Sequence, residues 1–192
     1  MIGFKKLELR VLDGATPELE KNLFEIEGED GKGATQTAKI TGLANDPTKT
    51  YGSDKAYRVT SRGVGDVKAE VTVVDLPLKV KNAILGYVTK NNVTRVGSET
   101  SAPNCSMLLH TSLPDGTPFY IGFYIGKISM DSLDLETIKE KAEELPGENF
   151  TFNASSVKFT GDDEDYYVGF ASGKDGAGLT QLKRELKMVA SA

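Results

Sequence analysis

The stretch from Val67 to Gly86 constrains this chain more than any other. It reads as a strand, a corner and a short helix. Val67, Ala69, Val71 and Val73 fall on one side, and Lys68, Glu70 and Thr72 on the other. A two-residue period of this kind marks a half-buried β-strand. Pro77, after Leu76, lacks a backbone donor and fixes φ, which suits the first turn of a helix and not a continuing strand. Leu76, Val80, Ala83 and Ile84 then recur at helical spacing, and Gly86 can take the left-handed stop. The sequence therefore predicts a sheet with one face covered by a short helix.

Other strands follow the same logic. Leu7, Leu9 and Val11 alternate with Lys6, Glu8 and Arg10, giving a first strand that ends at Asp13-Gly14. Pro17 to Glu29 stays open: Leu19, Leu23 and Ile26 fit a helix, while Leu23 to Glu27 alternates as a strand. Gly28 to Gly33 breaks either one. Ala34 to Leu43 is Thr-rich and alternating, a strand. Ala44 to Lys55 is rich in turn formers and reads as a long exposed loop, a kind that is usually functional or mobile. Ala56 to Ser61 is a short strand, and Thr89 to Pro103 a second polar connection.

Cys105 to Leu113 and Pro118 to Met130 form a hairpin around Pro114-Asp115-Gly116. Phe119, Ile121, Phe123 and Ile125 share one face of its second strand; Tyr120, Gly122, Tyr124 and Gly126 share the other. Ile128 and Met130 fall on the opposite parity, and Leu133 and Leu135 switch back, so a bulge or bend is expected near Lys127 and Asp131. Glu136 to Leu145 is in conflict. Ile138, Ala142 and Leu145 fit a helix, while Leu133, Leu135 and Thr137 extend a strand. Phe150 to Phe159 and Asp165 to Ala171 read as strands and Ser172 to Gly178 as a hinge. Leu179, Leu182, Leu186 and Val189 make a last amphipathic helix, too short to stand alone, which must dock on its own domain or on a neighbour.

Composition narrows the function. Twenty glycines and no tryptophan favour a turn-rich β protein, and 39% apolar residues suffice for one core. The net charge of -5 argues against a surface built to bind nucleic acid tightly. Charge is uneven: Ile128 to Asp165 holds eleven acids and three bases. No run approaches a membrane span. The N-terminus shows no apolar core after Lys5-Lys6, so no secretory signal is expected.

Reactive constellations are sparse. The one histidine, His110, lies in an alternating strand, where a structural role outweighs catalysis. Cys105 is five residues away, hence on the opposite face, which argues against a Cys-His pair. Its plain reading is a small buried residue. Gly28 to Thr35 lacks the Gly-Lys-Ser/Thr of a phosphate loop. Asp162 to Asp165 lacks the spacing of a calcium loop. No cofactor or metal is expected, and no enzymatic activity. A β-rich chain with long loops and no reactive cluster suits a self-assembling or binding module.

One resemblance sharpens this. Val71 to Gly86, running Val-Thr-Val-Val-Asp-Leu-Pro-Leu and on to Ile84-Leu85-Gly86, resembles the major tail proteins, or tail tube subunits, of siphophages that infect Gram-positive bacteria. Gly3-Phe4-Lys5-Lys6-Leu7, Ser101-Ala102-Pro103, Tyr120 to Lys127, Ser132 to Thr137 and Glu140-Lys141-Ala142-Glu143 are similar to that family in the same order. The C-terminal helix matches least. The resemblance implies a mainly β fold, a β-sandwich or small barrel with one short flanking helix, a C-terminal helix and long loops. It implies a single tail-tube-like domain over 1–192, with an extended loop at about 44–55 and a hinged segment at about 172–192. It also favours a strand through Thr137 followed by an irregular segment.

The function so implied is a structural virion protein that assembles into stacked hexameric rings, a tube through which phage DNA passes. The partners implied are further copies of itself, the tape measure, tail terminator and distal tail proteins, and DNA in transient, non-specific passage, without membrane insertion. The protein would be made in the host cytoplasm and reside in the virion. Lys49, Tyr51 and Lys55 are the expected contacts to the adjacent ring, and Asp131, Asp134 and Glu136 the expected acids facing the lumen. A receptor-binding or carbohydrate-binding β module is the alternative, and a hydrolase working through paired acids stays open as a third class, which an activity screen on sugars and esters would expose.

Overall fold

Strand β1 (Ile2–Val11) begins the sheet, and its inward residues Leu7 and Leu9 are fully buried. The structure is a computed structural model that describes residues 1–61, 63–133 and 146–190. After β1 come β2 (Leu23–Ile26), β3 (Ala34–Thr41), β4 (Thr48–Gly52), β5 (Lys55–Thr60) and β6 (Lys68–Val74), then α1 (Leu78–Leu85). Next are β7 (Val88–Lys90), β8 (Val93–Arg95), β9 (Cys105–Ser112), β10 (Pro118–Ser129), β11 (Glu148–Ser155) and β12 (Val168–Ser172), and last α2 (Ala177–Glu185).

The main sheet runs β2-β1-β9-β10-β11-β6-β3, all antiparallel, with β12 also paired to β10. Strand β10 turns the corner. Phe119 to Phe123 pairs with β12, and Ile125 to Ser129 pairs with β11. The far strand β3 returns toward β1, where the Thr35 hydroxyl donates to the Phe4 carbonyl at 2.7 Å. The sheet thus curls into a sandwich whose two halves share one apolar interior.

Val67, Ala69, Val71 and Val73 enter that interior, as their alternation predicts, and α1 adds Val80, Ile84 and Leu85. The helix starts after Pro77 and stops at Gly86, whose φ is 72°. A Cβ at Gly86 would lie 2.2 Å from the Ser101 carbonyl oxygen, so the stop requires glycine on two counts.

The sandwich has a second, smaller apolar cluster on the outside of β9, made by Leu108 with Leu182, Leu186 and Met188. The C-terminal helix therefore docks on its own sheet. It comes close enough that a Cβ on Gly122 would meet Leu182 and Leu186 at 2.9 Å. Met188, and not the expected Val189, is the last buried residue. Lys187 takes a left-handed φ of 56°, which turns Met188 inward.

Three expectations are corrected. Residues 48–52 are strand, not loop, because they pair with β5 as a hairpin. The bulge in β10 falls between Phe123 and Gly126 in its ladder with β9, upstream of Lys127. The polar connection after α1 contains the hairpin β7–β8. The open reading of Pro17 to Glu29 resolves as strand over Leu23–Ile26. The conflict over Glu136 to Leu145 lies outside the described residues.

Candidate assembly surfaces

Hairpin β4–β5 projects as a separate two-stranded ribbon, hydrogen-bonded to no strand of the main sheet. Its turn residues Ser53 and Asp54 have φ of 52° and 59°, the left-handed pair that a tight two-residue hairpin turn demands. Its stem is fixed by the Gly65 amide donating to the Gly42 carbonyl at 2.8 Å. Lys49 sits across from Val59 and Tyr51 across from Ala56, so each pair shares one face of the ribbon. Tyr57 is 83% exposed and Tyr51 69% exposed. Isolated two-stranded ribbons are marginal in water, and exposed aromatics on one mark a contact surface. The ribbon carries all three expected ring-contact residues, with Lys49 and Tyr51 on β4 and Lys55 opening β5.

A second surface is the outer face of β3, β6 and β11. The Thr37 hydroxyl donates to Thr72 at 3.0 Å, and the Thr72 hydroxyl donates to the Asn149 side-chain carbonyl at 2.7 Å. Lys39 stands 3.8 Å from Glu70. No described element covers this hydroxyl- and amide-rich wall, which forms a trough of about 460 Å³ with Ser129 and Asp131 in its lining. Asp131 is exposed. Asp134 and Glu136 lie outside the described residues.

The opposite half of the sandwich is covered. Glu8 and Arg10, placed outward by alternation, are buried beneath α2. Lys183 contacts one Glu8 oxygen at 2.8 Å, and His110 Nε2 contacts the other at 2.8 Å. Burial pushes the Glu8 carboxyl up, but the hydrogen bonds from His110 and Lys183, with the Lys183 charge, hold it below its ordinary value. Arg10 donates to the Lys187 carbonyl at 3.3 Å and the Ala15 carbonyl at 2.6 Å. The Ser106 hydroxyl donates to the Leu186 carbonyl at 2.7 Å. His110 thus holds Glu8, and Glu8 in turn holds Lys183 of the helix.

Cys105 is fully buried on the core side, and burial pushes its thiol up to about 12. A thiol so placed is a poor nucleophile at neutral pH. Among the described residues no three histidine, cysteine, aspartate or glutamate side chains converge to hold a metal. No described helix is long and apolar enough to cross a membrane.

The last surface is apolar. Met1, Phe4, Ile40, Leu43, Ile121 and Phe170 line a cavity of about 580 Å³ at the mouth of the sandwich. Nothing in residue periodicity pointed to it. The same is true of Glu8, because alternation sees only one strand at a time.

These features define a structural β-sandwich subunit with one face capped by a helix, one polar face that no described element covers, and a projecting ribbon. A profile of the phage tail tube protein family matches residues 11–185, and the chain belongs to that family. Its role is that of a structural component of a phage tail tube. No curated protein matches the chain.

Proposed function

We propose that this chain is the repeating subunit of a siphophage tail tube, in a phage of Gram-positive bacteria, built from stacked hexameric rings. The ribbon β4–β5 reaches the adjacent ring through Lys49, Tyr51 and Lys55. The bare wall of β3, β6 and β11 faces the lumen, with Asp131 at its margin; Asp134 and Glu136 follow it in the sequence. DNA passes such a wall without adhering, because its hydroxyls and amides are neutral, its Lys39 stands beside Glu70, and the acids repel phosphate. The tube would join the tape measure, tail terminator and distal tail proteins at its ends.

The observation that carries this reading is the contrast between the two outer faces. One is sealed by a helix with a buried ion cluster. The other is a continuous polar sheet surface with no described element over it. The test is negative-stain imaging of the protein, alone and co-expressed with its tail initiator. Wild type is expected to give tubes with a regular ring repeat. Tyr51→Ser with Lys55→Ser is expected to leave rings or monomers of native circular dichroism. Normal tubes from that variant would remove the ribbon from the contact.

A further inference from the structure

Strands β3 and β6 carry the ribbon at one end and a groove at the other. In their antiparallel register Thr41 pairs with Lys68, and Ala34 pairs with Val74. The ribbon leaves at the Thr41 end. At the Ala34 end, roughly 23 Å away by strand rise, the Gly31 amide donates to the Asp75 carboxylate at 3.1 Å. There the chain folds into a groove lined by Leu19, Glu20, Glu25, Glu27, Glu29 and Lys32. A second depression shares Glu20, Glu25 and Lys32 and continues the groove to Pro77, Lys79 and Val80 at the start of α1, so the acids concentrate at its β2 end.

The two ends are complementary. The ribbon holds Lys49, Lys55 and Arg58 against the single acid Asp54, together with Tyr51, Tyr57 and Val59. Residues 18–32 hold six acids against two lysines, and Leu19 is exposed among them. Among the described residues, none of the three ribbon cations has an acidic partner and Glu20 has no basic one. Glu25 and Glu27 share Lys6, at 2.6 and 3.2 Å. Strand β2 ends the sheet: no described strand pairs beyond it, although the Leu23 amide and carbonyl are taken by Glu18 and Glu20 of the preceding turn. Different patches at opposite ends of one subunit make a head-to-tail contact, and one that advances along an axis rather than rotating into a closed ring builds a fibre or tube.

We infer that the β4–β5 ribbon of one copy seats in the groove along β2 of the copy in the next ring, tyrosines against Leu19 and cations against the glutamates. This rests on the reading of the ribbon as a ring-to-ring contact, and adds the surface that receives it and the charge that selects it.

Two reciprocal variants test it. One carries Lys55→Glu and Arg58→Glu; the other carries Glu27→Lys and Glu29→Lys. Each alone sets like charges against each other and does not stack. Mixed, the acidic ribbon meets the basic groove and the basic ribbon meets the acidic groove, and tubes return. If the ribbon variant fails while the groove variant stacks normally and mixing restores nothing, the receiving surface lies elsewhere. The inference is then overturned and the ribbon's role survives. If both variants stack as wild type, both ideas fall.

A crosslink reads the same contact in concentrated protein, with or without tubes. Tyr57→Cys combined with Leu19→Cys is expected to give an open oxidative ladder, while buried Cys105 stays silent. The ladder should weaken about tenfold near 1 M salt, where charges are screened beyond about 3 Å. A closed dimer, or no ladder at all, overturns the inference.

Discussion

Glu8 and Arg10 occupy positions that strand alternation assigns to solvent, yet each is at most 2% exposed. Alternation sorts side chains into two faces; it does not say whether a distant segment covers the second face. Here residues 177–188, far along the chain, do so. The cost of burying a carboxylate is offset by two hydrogen-bonded partners, so losing the charge should cost about 2 kcal/mol. The sign of the pH dependence follows. Above the ordinary value of 4.5 the Glu8 contribution is fully present. Below it the unfolded chain takes up the proton first, and the contribution fades as pH falls through the depressed folded value. Denaturant midpoints of wild type and Glu8→Gln should therefore differ at pH 7 and converge as the pH falls below the ordinary carboxylate range. A gap unchanged across that range would mean that the carboxylate is not ionised as the geometry requires.

At the scale of elements, α2 is a short helix that survives because its apolar stripe meets Leu108 and the bare backbone of Gly122. Leu186 is fully buried, so Leu186→Ala should cost about 2–5 kcal/mol in urea denaturation. Tyr57→Ser on the exposed ribbon should stay within about 0.5 kcal/mol. Equal losses would mean that the ribbon is part of the folded core. The elements legible in sequence were those with one buried face: β1, β6, α1, β9 and β10. Hidden from it were β4, though not its partner β5, and the hairpin β7–β8, whose residues are exposed or only half-buried and so lack an apolar period. Their two-residue turns, Ser53-Asp54 and Asn91-Asn92, all have positive φ without glycine, which weakened the usual hairpin signal. The bulge in β10 was felt as a change of parity, but parity locates a slip only to within a few residues.

At the scale of the whole molecule, what the sequence hid is also what assembly would use. Periodicity finds the interior; it is blind to the outer surfaces, where a subunit meets its copies and its cargo. The neutral row Thr37, Thr72 and Asn149 has no periodicity or charge to mark it, yet it forms a broad wall that no described element covers. If that wall bounds the channel, fixed cations placed there should hold passing phosphates. Thr72→Lys with Thr151→Lys leaves the ribbon and the β2 groove untouched, so tubes should image as wild type. DNA release from phage carrying it should slow and should recover with added salt, since each phosphate contact weakens steeply as counterions compete. Gln181→Lys, on the exposed side of α2, adds a charge of the same kind to the capped half and should leave release unchanged. Unaltered release from the wall variant, with intact tubes, would assign the channel to another face of the sandwich.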